Sequence, residues 1–141
     1  MTTARTVLVT GGNRGIGFAI AEEFIANGHR VAITSRSENG PDGCLTVRAD
    51  VTDASSIDAA FTEIEATLGP VEVVVANAGI TRDSLLMRMS DEDFTSVIDT
   101  NLSGAFRVVK RASKGMLKAR FGRIVLITSV VGLFGSAGPV N

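Results

Sequence analysis

The feature that most constrains this chain is a glycine turn, Thr10-Gly11-Gly12-Asn13-Arg14-Gly15-Ile16-Gly17, lying between a short apolar run and a helical pattern. Glycine permits a sharp reversal and lets backbone N–H groups approach a ligand closely. A turn that closes a strand and opens a helix places those groups at the positive end of the helix dipole, where an anion is favoured. Glycine turns are common by themselves. In this context the residues Gly11, Asn13, Arg14, Gly15, Ile16 and Gly17 are candidates to hold the pyrophosphate of a dinucleotide.

The remainder of the chain alternates in the same way. Thr6–Thr10 is β-branched and apolar throughout, as a strand covered on both faces should be. Ile16 to Ala26 follows with Ile16, Ala19, Ile20 and Phe24 at helical spacing, closed by Asn27-Gly28. Arg30–Thr34 reads as the second strand, and the polar stretch Ser35–Gly43 as a loop. Leu45–Ala49 reads as a third strand. Asp53 then caps a helix running to Leu68, with Ile57, Ala60, Phe61 and Ile64 on its inner face, and Gly69-Pro70 ends it. Val71–Val75 is the fourth strand. Ser90 with Asp93 marks the start of a helix over Asp91–Thr100. A longer helix is expected over Leu102–Lys118, with Phe106, Val109, Ala112, Met116 and Leu117 facing inward, and Ile124–Thr128 forms the fifth strand. Strands separated by helices specify a parallel sheet with right-handed crossovers, hence a doubly wound Rossmann-type α/β fold in one domain over residues 1–141. In such sheets ligands bind beyond the carboxyl ends of the strands.

Composition narrows the function. A net charge of −1 argues against a nucleic-acid partner, and no apolar run is long enough to span a bilayer. The single cysteine, Cys44, has no internal partner for a disulfide, which fits a reducing, cytoplasmic setting. With one histidine, His29, placed in a turn, neither a metal site nor a histidine-based triad is expected. A chain that selects NAD offers a carboxylate at the end of its second strand. Here that position reads Thr34-Ser35-Arg36, and Arg14 lies within the glycine turn. Two guanidiniums suit a 2′-phosphate, so NADPH/NADP+ is the expected cofactor. Read one at a time, Arg14 and Arg36 are also consistent with solvated loop charges.

The width of the glycine turn, with three residues between Gly11 and Gly15, resembles the short-chain dehydrogenase/reductase family. Further likenesses follow in order: Asp50-Val51 resembles the family's adenine-contacting pair, and Asn77-Ala78-Gly79 its cofactor-lining NAG motif. Asn101 resembles the asparagine that helps hold a proton-relay water, and Ser129 the serine that orients the substrate carbonyl. Each has a plain alternative: Asn101 as a helix N-cap, Ser129 as a strand-end serine capping local backbone. Leu86-Met87-Arg88-Met89, Asn101 through Arg107, and Gly122 through Gly132 are similar to 3-oxoacyl-acyl-carrier-protein reductases, particularly those of actinobacteria and mycobacteria.

That likeness implies NADPH-dependent reduction of a 3-oxoacyl thioester in fatty-acid biosynthesis by a cytoplasmic homotetramer. Reductases of acetoacetyl-CoA or other carbonyls share much of the pattern, and a non-catalytic NADP-binding module is a further alternative. It also implies a docking patch for acyl carrier protein among Lys114, Lys118, Arg120 and Arg123, with Arg120 foremost. A solvated helix end complementing the helix dipole is the competing view of the same charges. The family's Tyr-xxx-Lys pair, which supplies the proton, is absent: the chain contains no tyrosine and ends at Asn141, where the pair is expected to follow. The 141 residues are therefore expected to be a domain incomplete at its C-terminus and inactive alone.

Overall fold

The computed structural model describes residues 3–37 and 39–135. Its five strands are β1 (Thr6–Thr10), β2 (Arg30–Ser35), β3 (Leu45–Arg48), β4 (Val73–Ala76) and β5 (Arg123–Leu126). All pair in parallel, as expected of a doubly wound sheet, and they lie in the order β3-β2-β1-β4-β5. Strand order reverses between β1 and β4, with β2 and β3 on one side and β5 on the other, so a crevice opens there at the carboxyl ends of the strands.

Helices cover the two faces unequally. On one face α1 (Gly15–Ala26) packs on Val7, Val9, Val31, Ile33 and Val75 through Ile20, Ala21, Phe24 and Ile25. Ile16 and Ala19 were expected on this inner face, but both are exposed. The buried helix stripe starts at Gly17 and Ala21, because the helix meets the sheet where a glycine allows close approach. On the other face α2 (Ala54–Leu68) buries Ile57, Ala60, Phe61 and Ile64 as its periodicity indicates. Its N-cap is Asp53, whose carboxylate accepts from the Ser55 N–H.

The segment after β4 corrects the expected pair of separate helices. α3 (Asp91–Val97), capped by Ser90, passes without a break through a π-helical turn over Ile98–Ser103 into α4 (Gly104–Ala119). The buried stripe of α4 is Gly104, Val108, Ala112 and Met116, a strict four-residue repeat. Phe106 and Leu117, expected inside, are 62% and 78% exposed, and Val109 is half-buried. Apolar residues occur on both sides of this helix, so hydrophobicity alone sets the wrong phase. A short helix, α5 (Val131–Phe134), follows β5 and has no clear sequence signal. The limits of β4 and β5 differ from those expected by no more than the usual fraying of element ends.

Candidate functional site

A cleft of about 1380 Å³ opens along the carboxyl ends of β1, β2, β3 and β4. Its walls come from the loops that follow these strands, which is where a doubly wound sheet leaves room. The candidate residues Gly11, Asn13, Arg14, Gly15 and Ile16 line its centre, and Arg36, Asp50 and Val51 one end. Asn77, Ala78 and Gly79 line the β4 side. Gly17 is buried beneath the surface and does not line the cleft; a Cβ there would overlap the Asn77 amide and lie 2.5 Å from the Gly11 carbonyl oxygen. Its place is to let α1 sit close to the β4 loop.

The glycine turn is held from below. Asn77 Nδ2 donates to the carbonyls of Thr10 at 3.0 Å and Gly11 at 3.1 Å. The buried Thr10 hydroxyl accepts from the N–H groups of Asn77 and Ala78. Asn77 thus fixes the turn as much as it lines the cleft. Gly15 has φ +57, a conformation that strains any side chain with a Cβ, and the space beside it is open. Arg14, the N-cap of α1, makes no side-chain bond to the first turn of the helix. The leading N–H groups of α1 are therefore not capped by a side chain, whereas those of α2 and α3 are capped by Asp53 and Ser90.

On the β2 side the turn and the following loop are tied together, since Asn13 Nδ2 donates to Ser37 Oγ at 3.1 Å. Arg36 at this end of the cleft and Arg14 in its centre are both exposed. Below them Thr34 is 3% exposed, and its hydroxyl has no hydrogen-bond partner among the described residues. An orphaned buried hydroxyl in the wall of an open cleft suits a polar ligand. The Asp50 carboxyl accepts from both the N–H and the hydroxyl of Thr52, which hold it below the usual carboxylate range; nearby Arg36 adds to this and slight burial opposes it.

Asn101 and Ser129 lie outside the cleft lining. Asn101 is not a helix N-cap, because it sits inside the π-helical turn where the chain is already helical. Its amide instead clasps Ile80: Oδ1 accepts from the Ile80 N–H at 2.8 Å and Nδ2 donates to the Ile80 carbonyl at 2.9 Å. Ser129 follows β5, next to the end of β4, and its Oγ accepts from the Val131 N–H at 3.2 Å. Sequence reasoning missed several lining residues, among them Thr34, Ile80, Thr81, Arg82 and Thr100. Ile80 to Arg82 directly extend the Asn77-Ala78-Gly79 motif, and position after a strand end was the signal available. Thr100 had none, since it reaches the cleft only through the π-helical turn.

Other expectations also resolve. His29 is more than a turn residue: its Nδ1 accepts from the Arg5 N–H at 3.0 Å and its ring stands edge-on to Phe24. Cys44 is half-buried, with its thiol against the Pro41 carbonyl. Arg120 is the left-handed C-cap of α4 and exposed, whereas Arg123 stacks on Phe121. Among the described residues no helix is long and apolar enough to cross a membrane.

Residues 5–140 match the short chain dehydrogenase family. The 3-oxoacyl-[acyl-carrier-protein] reductase MabA of Mycobacterium avium is 55% identical over 138 residues, covering 98% of this chain and 54% of that protein. The reductase of the same name from Mycobacterium tuberculosis is 52% identical, covering 98% and 56%. The 3-oxoacyl-[acyl-carrier-protein] reductase FabG of Escherichia coli is 46% identical over 145 residues, covering 97% and 59%. The chain thus spans a little over half the length of these relatives.

Proposed function

This chain belongs to the short chain dehydrogenase family, and from that premise we propose that its cleft binds NADPH and serves the reduction of a 3-oxoacyl thioester carried on acyl carrier protein. The observation that carries the reading is the start of α1. Its first turn has no side-chain cap, and Gly15 lines an open cleft whose walls also include Arg14 and Arg36. The residues fit the cofactor. The turn from Gly11 to Ile16 would hold the pyrophosphate, Arg14 and Arg36 the 2′-phosphate, and Asp50 and Val51 the adenine. The orphaned Thr34 hydroxyl would gain a polar neighbour at the same end.

NADPH held there would supply the hydride for the ketone carbon. Ser129 would orient that ketone: its oxygen accepts from the Val131 N–H, which leaves the hydroxyl proton to donate to the carbonyl oxygen as charge develops there. Asn101 uses one donor and one acceptor on Ile80 and keeps a second N–H and a second lone pair for a proton-relay water. The 141 residues contain no tyrosine, so by themselves they would bind NADPH without turning it over, as an NADP-binding domain. The exposed Arg120 would meet the acyl carrier protein, and the exposed face of α4 with Phe106 and Leu117, continued by Leu102 of the π-helical turn, would meet other subunits of a cytoplasmic homotetramer.

Fluorescence titration with NADPH and NADH tests the cofactor. NADPH should bind more tightly, and Arg36→Ala should weaken NADPH about 10- to 100-fold while leaving NADH unchanged, as expected for one charged hydrogen-bonding partner of a phosphate. Equal affinity of the parent for both nucleotides would overturn the assignment.

A further inference from the structure

Arg107, in the first turn of α4, does not line the cleft, yet its half-buried guanidinium joins two separate parts of the site. Its Nη1 donates to the Val51 carbonyl at 3.1 Å and to the Asp99 carbonyl at 3.3 Å. Its Nη2 donates to the Asp99 carboxylate at 2.7 Å. Val51 is a wall of the cleft, on the loop between β3 and α2. Asp99 lies in the π-helical turn, two residues before Asn101.

The contact is tight on both sides. A Cβ added to Gly104 would lie 2.8 Å from Val51 Cγ2, so the start of α4 rests directly on Val51. The Asp99 carbonyl also accepts from the Gly104 N–H, the bond that closes the wide turn. A π-helical turn is rare and occurs most often at functional sites, and here the Arg107 fork ties it to Val51. The same turn carries Asn101, which clasps Ile80, and Ile80 again lines the cleft. A continuous chain of bonds therefore runs from Val51 through Arg107 and Asp99 to Asn101 and Ile80. A planar fork with donors on separate nitrogens in fixed geometry suits this bridge; a lysine ammonium carries its three donors on one nitrogen and could not span the same acceptors.

We propose that Arg107 is a positioning residue that couples occupancy of the Val51 end of the cleft to the placement of Asn101 and Ile80 at the other. The proposal rests on the reading of the cleft as an NADPH site. Coupling between two sites is reciprocal. Loosening the Asn101 clasp must then weaken a ligand that presses on Val51, and the ligand must tighten the clasp.

The test uses the whole chain and a double-mutant cycle. Asn101→Ala and Arg107→Met should each raise the NADPH dissociation constant about fivefold, the lower end of ordinary allosteric coupling. The double variant should be no weaker than either single variant. Hydrogen exchange supplies the second readout. NADPH should slow exchange of the Ile80 amide in the parent and in Asp99→Asn, which keeps both carbonyl acceptors, but not in Arg107→Met or Arg107→Lys. Without ligand, Arg107→Met should already speed exchange at Ile80 while amides in the middle of β1 and β4 keep their parent rates. Losses that multiply in the double variant, or Ile80 exchange indifferent to Arg107 with and without ligand, would overturn the coupling. A parent chain that fails to bind NADPH would instead refute the cofactor reading, and the ligand-free exchange would still decide the coupling.

Discussion

α1 and α2 start at the same edge of the same sheet, each just after a parallel strand, yet their first turns are built in opposite ways. α2 begins at Asp53, whose carboxylate accepts from the Ser55 N–H and hydroxyl at 2.8 and 2.7 Å. α1 begins at Arg14, whose side chain offers the first N–H groups nothing, and a glycine follows. Leading N–H groups of a helix need partners. Where the chain supplies one from its own side chains, the end is closed and serves stability. Where it supplies none and opens a cleft instead, the end is free for an anion from outside. The contrast distinguishes a helix start that holds the fold together from one that holds a ligand.

The largest effect should come from closing the open start. Gly15→Val puts a β-branched side chain into the open space at φ +57. The left-handed conformation costs such a residue about 1–2 kcal/mol, so the protein should still fold, but NADPH binding measured by fluorescence should disappear. Retained binding would erase the difference between the two helices.

A smaller effect is expected at the opposite edge of the sheet, where no ligand is proposed. Burial by itself would raise the pKa of Glu72, but the Arg5 guanidinium at 2.7 Å, the Thr6 N–H and Arg30 outweigh it and hold the carboxyl below its ordinary value of 4.5. A depressed folded pKa contributes stability that is present above the unfolded value and fades as pH falls through the folded one. Glu72→Gln should therefore be less stable than the parent by a constant amount from about pH 5 upward, and the gap should narrow in more acid solution. Urea denaturation across that range measures it, and NADPH affinity at neutral pH should not change. A gap that widened on acidification would reverse the sign assigned to this carboxylate.

The smallest effect belongs to the closed start. Asp53→Ala removes the cap of α2 and should lower the melting temperature by a few degrees. NADPH affinity should stay at the parent value. Loss of affinity there would mean that the two helix starts do not divide the labour as proposed.

Most of the fold could be read from the chain because its signals are local. β-branched runs such as Val7–Val9, the caps Asp53 and Ser90, and the stripe Ile57, Ala60, Phe61 and Ile64 each act within a few residues of one another. The glycine turn is local in the same sense, which is why most of the candidate cofactor residues could be named from the sequence and are found together along one cleft. The inward face of α4 could not be read this way. Phe106 and Leu117 are as apolar as Val108 and Met116, and only the position of the helix over the sheet separates outside from inside.

Sequence by itself therefore determined the alternation of strand and helix, the parallel sheet, and the glycine turn with Arg14 and Arg36 beside it. Tertiary structure decided what lies between distant segments. It alone ran α3 and α4 together through a π-helical turn, set the Asn101 amide on Ile80 and drew the Arg107 fork between Val51 and Asp99. The physical reason is range. Propensity, capping and turn chemistry are properties of neighbours in the chain, whereas a hydrogen bond between remote loops exists only after packing has brought its donor and acceptor within reach.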